Sequence, residues 1–411
     1  MKVISPTNVR ARRRLLERGQ AADPAVAEQA ARIVDDVRTR GDRALREYAR
    51  RFDKLRGSLE VTEQEIRDNA AEAPSAVRRA IAQAARHIRR IAKRQVPREW
   101  RAATVPGVVV EQRVTPLARV GCYVPGGRYP LPSSLLMTAV PARVAGVNEV
   151  IAVCPRPDPS VCAAALEAGI ARLFRIGGAH AVAALAYGTR TVPHVDKIVG
   201  PGNAYVAAAK AHVAADCPID FFAGPTEIVI VAADGNASWI AADLVAQAEH
   251  DPDARALLLT PNAELARAVA RAVDSQLEHH PAARQSIEQH GGAVVTNDLG
   301  EAVDLANAIA PEHAVCDDEF TARALTRAGT VFVGPYGAQA AGDYATGSNH
   351  VLPTGGAARF RGGLSAADFV RVSSVQHLSG DGLRRLAPTA ISLANAEGLV
   401  AHAASIAVRL R

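Results

Sequence analysis

Aromatic residues are scarce: eight Phe, seven Tyr and two Trp make up 4% of 411 positions. Stacked aromatic platforms of the kind that grip single-stranded nucleic acid are therefore not expected. Cysteine is also sparse and odd in number, at positions 122, 154, 162, 217 and 316, with no CxxC pair. That excludes a disulfide framework and a paired-cysteine zinc or redox motif; these thiols read as small apolar side chains in a reducing compartment. No run approaches the roughly 20 apolar residues needed to span a bilayer, and residues 1–14 carry no apolar signal core. The expectation is a cytoplasmic protein with no membrane partner. A strong charge of one sign is missing too: 48 basic residues face 42 acidic ones, a net charge of +6. The arginine clusters at 10–14 and 86–94 have no interleaved aromatics and read as solvated helix faces, so no nucleic-acid partner is expected.

Aliphatic residues are plentiful. Hydrophobic content is 48% and charged content 22%, and 411 residues exceed one ordinary core, so two or more domains are expected. Residues 1 to about 100 read as helical, with 25–48 and 63–93 showing apolar spacing of the helical kind. Stretches 105–110 and 117–124 read as strands. From residue 147 strands and helices alternate: strands at 149–154, 172–176, 197–199, 227–232, 255–259, 293–295 and finally 331–333, with helices between them. This pattern implies parallel sheets covered by helices on both faces. Two such series, with a break near Gly224–Pro225, predict two doubly wound α/β domains. Residues 365–411 read as a small helical extension.

Several constellations could carry chemistry. No GxGxxG follows a strand, so the usual dinucleotide fingerprint is missing. Glycine turns instead open helices at Gly177–Gly178 and Gly200–Asn203, where bare N–H groups favour an anion, although tight packing alone also demands such glycines. The loop 123–134 joins glycine backbone, an arginine and hydroxyls, and could hold a dinucleotide or an acidic substrate. Gln247 and His250, three apart at a helix end, share one face. Glu312–His313 pairs a carboxylate with an imidazole, read here in a loop and suited to general-base work. Asp343 and His350 sit in a glycine-rich stretch, read as a long functional loop. Glu397 and His402 lie near the C-terminus. Together Gln247, His250, Asp343 and His402 form a mixed oxygen and imidazole donor set that fits Zn²⁺, with Mn²⁺ or Co²⁺ as alternatives. His402 could join it only by a fold-back or from a neighbouring subunit.

The blocks AGPTE (223–227), QAEHD (247–251), NAIAPEH (307–313), GDYATGSNHVLPTGGAARF (342–360) and AEGLVAH (396–402) resemble the signature blocks of histidinol dehydrogenase. GCYVPGGRYPLPSSLLM (121–137) and VGPGNAYV (199–206) are similar to its nucleotide domain. The resemblance runs from about residue 30 to 411. It implies two incomplete Rossmann-like doubly wound parallel-sheet domains with small helical N- and C-terminal extensions. The implied segments are an arm at 1–18, a zinc and substrate domain at 19–122 plus 226–364, an NAD domain at 123–225, and an extension at 365–411 reaching the partner subunit's site.

It further implies a homodimer with shared active sites and one Zn²⁺ per subunit, held by Gln247, His250, Asp343 and the partner's His402. Substrate contacts fall on Thr226, Gln247, His250, His313, Asp343, Glu397 and His402, and NAD contacts on Tyr123, His180 and Asn203. The implied reaction is the two-step, NAD-dependent oxidation of L-histidinol to L-histidine, with Glu312 and His313 as catalytic residues. Thr226 stands where the family usually has Ser, and His180 where it usually has Gln. A related zinc- and NAD-dependent dehydrogenase of another small alcohol, such as sulfopropanediol, is the nearest alternative. A zinc hydrolase using Glu312 is a more distant one.

Overall fold

A computed structural model describes residues 1–16, 23–126, 130–222 and 224–411. Among these, the strands in chain order are β1 (Lys2–Ile4), β2 (Glu60–Val61), β3 (Trp100–Val105), β4 (Val108–Pro116), β5 (Arg119–Tyr123), β6 (Glu149–Val153) and β7 (Arg172–Phe174). They continue with β8 (Lys197–Val199), β9 (Glu227–Val231), β10 (Arg255–Thr260), β11 (Gly292–Val295), β12 (His313–Cys316), β13 (Thr330–Val333) and β14 (Val370–Leu378).

Two sheets dominate. The first runs β2-β7-β6-β5-β8, parallel except for β2 at its edge. The second runs β1-β11-β10-β9-β12-β13 and is parallel throughout. In each, the chain builds outward in one direction and then returns beside its first central strand. This creates a switch point between β5 and β8, and another between β9 and β12, as in a doubly wound Rossmann-like fold. Helices cover both faces of both sheets, so their strands are buried apolar runs. Val150 and Ala152 of β6 face one core while Ile151 and Val153 face the other. Six of the helices that follow strands start on short polar caps: Asp158, Asn203, Asn236, Asn262, Asp298 and Asp318 each accept a backbone N–H of the first turn.

The observed grouping differs from the expected one. Residues 24–95 pack mainly around the first sheet, although His87 also meets the Ala345 carbonyl (2.6 Å). The helix Pro24–Arg40 packs with Gly178–Tyr187 and Ala204–Val213, and Ser75–Gln95 packs with Pro132–Val144, all around the first sheet. The apolar faces of these N-terminal helices close the two sides that β5–β8 leave open. Within them, the two long predicted helices are each broken in two, at Gly41 with φ 55° and at Pro74. The predicted strand 105–110 is a hairpin, turning at Gly107 (φ 86°) between β3 and β4. The extension 365–411 is not purely helical: β14 pairs antiparallel with the whole of β4, so 331–333 is not the last strand. The arm contributes β1 to the edge of the second sheet. Among the described residues no helix is long and apolar enough to cross a membrane.

Candidate active site

The amino ends of β9 and β12 lie side by side, with His313 opposite Ile228. Residues just before and at these ends form a buried polar cluster. The Glu312 carboxylate accepts hydrogen bonds from the Thr226 hydroxyl (2.5 Å) and the Glu227 N–H (3.0 Å). Glu312 and His313 are both nearly inaccessible. Burial pushes the Glu312 carboxyl up to about 8 despite those two hydrogen bonds, and holds the His313 imidazole down at about 3. His313 Nδ1 lies 3.7 Å from Glu312 and Nε2 lies 3.8 Å from Asp343. With the ring neutral these are close contacts, not ion pairs; they become favourable when the ring gains a proton. Its Nδ1 is also 3.3 Å from the Glu227 carbonyl, which suits an N–H there.

The Glu312–His313 couple was expected in a loop, but it stands at a helix-to-strand junction. The preceding helix, Leu299–Ile309, stops at Ala310, a non-glycine residue with φ 56°. The peptide then turns sharply, and Gly329 and Thr330 of the neighbouring segment bind the Pro311 and Glu312 carbonyls. An added Cβ on Gly329 would come within 2.6 Å of the Glu312 carbonyl oxygen. The couple is therefore held by backbone on both sides.

Gln247 ends the helix Ala237–Ala248 and points in from behind. Its amide nitrogen donates to the Thr226 hydroxyl, while its fully buried Oε1 has no hydrogen-bond partner among the described residues. Asp343 was expected in a long loop but lies on the short helix Gln339–Tyr344. Its carboxylate accepts from Gln339 (2.8 Å) and its backbone carbonyl from His350 (2.9 Å). Burial raises the Asp343 carboxyl and lowers the His350 imidazole. His250 is exposed at its helix end, close enough for its charge to act on Asp343, His350 and His313.

One chain thus brings Thr226, Gln247, His250, Glu312, His313 and Asp343 together. Glu397 and His402 stay apart, exposed on the C-terminal hairpin of helices Gly380–Ala396 and Val400–Ala407. Among the described residues no hydrogen-bonded or ion-pair contact links them to the cluster. Gln339 was missed by the sequence reading, although its spacing of four from Asp343 would have exposed it had the segment been read as helix. Glu227 was missed as well; burial raises its carboxyl, and it accepts the Gly355 N–H.

A second feature lies at the carboxyl ends of β5–β8. A crevice of about 430 Å³ is lined by Tyr123, His180 and Asn203 together with Phe52, Asp53 and Arg156. It straddles the β5–β8 switch point, where doubly wound sheets hold nucleotides. The Asp53 carboxylate binds His180 Nε2 (2.8 Å) and the Gly177 N–H (3.1 Å), and the Tyr123 hydroxyl accepts the Gly178 N–H (2.9 Å). Side chains therefore already occupy the N–H groups that the sequence reading left bare at Gly177–Gly178. His180 stacks with Tyr48 and Phe52. The loop 123–134 borders this crevice at Tyr123 and Gly126; its residues 127–129 lie outside the described residues, as does Ala223 of the AGPTE block. At the equivalent switch point of the second sheet, Asp317 takes the Ala233 N–H (3.0 Å), with Asp234 and Asp318 beside it. Carboxylates there disfavour a phosphate.

All five cysteines are buried and free. Burial pushes Cys122, Cys154 and Cys217 up to about 12, and Cys162 and Cys316 up to about 11. None is poised as a thiolate nucleophile.

The chain matches the model of the histidinol dehydrogenase family over residues 16–410. It is 45% identical to the histidinol dehydrogenase of Geobacter sulfurreducens over 97% of this chain and 96% of that protein. It is 46% identical to that of Brucella suis over 96% and 94%. The crystal structure of histidinol dehydrogenase from Elizabethkingia anophelis superposes with a TM-score of 0.94 at 32% identity, covering 100% of this chain and 98% of that one. The alternative of a dehydrogenase for another small alcohol finds no support in these likenesses.

Proposed function

The chain belongs to the histidinol dehydrogenase family of NAD-dependent oxidoreductases, and on that premise we propose that the cluster at the amino ends of β9 and β12 is where it oxidises L-histidinol, through the bound aldehyde, to L-histidine. The observation that carries this reading is the Glu312–His313 couple: a neutral imidazole and a carboxyl held near neutrality, 3.7 Å apart in a buried site. Those are the properties wanted in two proton acceptors of different duty.

The cluster suits a zinc ion. Gln247 Oε1 is buried with no partner among the described residues, an orphan that costs free energy unless something occupies it. Asp343 adds a carboxylate and His250 an imidazole, and oxygen with imidazole nitrogen is an apt donor set for zinc. Gln247, His250 and Asp343 would hold the ion from one chain and the partner subunit's His402 would complete it. Exposed apolar residues on the C-terminal hairpin, Leu393 and Val400, and Val408 just beyond it, favour a homodimer with shared sites. Substrate would be gripped by Thr226, Gln247, His250, His313, Asp343, Glu397 and His402, and NAD by Tyr123, His180 and Asn203. When bound, zinc would supply a template for the amino alcohol and NAD the hydride acceptor for both oxidations. The setting we infer is the cytoplasm.

The residues of this chain then divide the work. His313 accepts the alcohol proton; Asp343, 3.8 Å from its Nε2, stabilises the imidazolium as it forms. Glu312 next takes a proton from the water that attacks the aldehyde, giving the hydrate whose oxidation yields the carboxylate. Thr226 keeps the Glu312 carboxylate aimed by its 2.5 Å hydrogen bond. The test is to measure the half-reactions separately. Glu312→Gln should slow aldehyde oxidation by about 10²–10⁴-fold and leave alcohol oxidation nearly intact, while His313→Asn should cripple the first step. Equal loss of both half-reactions in Glu312→Gln would remove Glu312 from this role.

A further inference from the structure

Lys210 and Asp220 form an ion pair that is almost wholly buried, with side chains 5% and 1% exposed. Neither lines the cofactor crevice or the catalytic cluster. Their hydrogen bonds converge on one residue: Lys210 donates to the Gly200 carbonyl (2.9 Å), and Asp220 accepts the Gly200 N–H (2.6 Å). Both backbone groups of Gly200 are thus held by side chains. Gly200 has φ 116°, and a Cβ there would lie 2.2 Å from the Tyr123 carbonyl oxygen. Its backbone packs directly on Tyr123, and three residues later Asn203 caps its helix at the crevice wall.

Asp220 also faces the other way. Its carboxylate accepts the Phe221 N–H (2.7 Å) and its carbonyl accepts from Arg361. The Arg361 guanidinium lies 4.0 Å over the Phe221 ring and pairs with Asp368 (3.0 Å). Burying two charges is costly unless their geometry is fixed, and here the pair holds the backbone of the glycine turn and the Phe221 N–H together.

We propose that Lys210 and Asp220 are positioning residues for the NAD site. They set the Gly200–Asn203 turn against Tyr123. This rests on the placement of NAD in the β5–β8 crevice. Lys210→Met strands a buried carboxylate and could unfold the chain, so the variant of choice is the double replacement Lys210→Met with Asp220→Asn, which removes both charges. The purified double variant should bind NAD about tenfold more weakly by calorimetry and show a matching rise in KM for NAD, with kcat at saturating NAD and KM for histidinol within about threefold. Lys210→Arg, which keeps the charge, should recover most of the affinity. Unchanged NAD affinity in a folded double variant would overturn the proposal, as would an even loss across all kinetic constants. Asn203→Ala is the control for the premise: if it binds NAD like the unmodified chain, NAD sits elsewhere and the proposal falls with that placement. If Asn203→Ala weakens binding and the double variant does not, the positioning role alone fails.

Discussion

Glu312 is held in a state its surroundings make expensive to ionise. Its carboxyl is pushed up to about 8 by burial, so its charged form grows only as pH rises through that value. The aldehyde half-reaction should therefore accelerate from pH 7 to 9, and Glu312→Gln should lose that limb. The alcohol half-reaction should show no matching limb from His313, whose imidazole is neutral at every pH above about 3. Stability carries the opposite sign. Between the ordinary glutamate value of 4.5 and about 8, the unfolded chain gives up a proton that the folded chain keeps, so folding weakens as pH rises across that window, by up to about 1.4 kcal/mol per unit. Gln carries no such proton. Melting of Glu312→Gln should thus gain on the unmodified chain between pH 5 and 8, and a gap that shrinks over that range would contradict the burial argument.

Single residues differ in how readily the sequence discloses them. Thr226, Gln247, His250, Glu312, His313 and Asp343 stood out as motif members, and the fold gathers them. Gln339 did not, because its role depends on a helical turn shared with Asp343. Asp53 did not either, since it reaches His180 across 127 positions of sequence. Pairings of that separation leave no local periodicity to read.

Among elements, buried parallel strands and the helices between them were the most legible. β8 and the helix Ala263–Gln276 fall where the apolar pattern put them. Short edge elements were not: β1 has three residues, and β14 is mostly exposed, so neither shows a buried stripe. The junction at 310–313 escaped reading because Ala310 adopts a left-handed conformation with no glycine to announce it. Gly329 braces that junction from the next strand. Gly329→Ala would thrust a methyl to 2.6 Å from the Glu312 carbonyl, which is backbone and cannot swing aside. It should destabilise the chain by about 1–3 kcal/mol and depress both half-reactions, because Glu312 and His313 shift together. A melting temperature and both rates equal to those of the unmodified chain would show that the junction is looser than this packing implies.

At the scale of the molecule, a doubly wound sheet usually works at the carboxyl ends of its strands. The first sheet has its crevice at that end, lined by Tyr123, His180 and Asn203. The second reverses it, gathering Thr226, Glu312 and His313 at its amino ends while carboxylates crowd the other end around Asp317. That reversal could not be read from element order alone, and neither could the grouping of helices 24–95 with the first sheet. What the single chain leaves incomplete is the proposed donor set. His402 and Glu397 are exposed on a hairpin that carries apolar residues on its surface, and the proposed site closes only when a second copy delivers them.

Mixing two disabled proteins tests that closure most directly. His250→Asn and His402→Asn should each be inactive as purified. Unfolded together and refolded in equal amounts, they should form mixed dimers in which one of the two sites has both histidines intact, restoring roughly a quarter of the unmodified activity along with bound zinc at those sites. No recovery from mixed dimers, once their formation is established by separation of differently tagged chains, would mean that the catalytic centre is not shared between subunits.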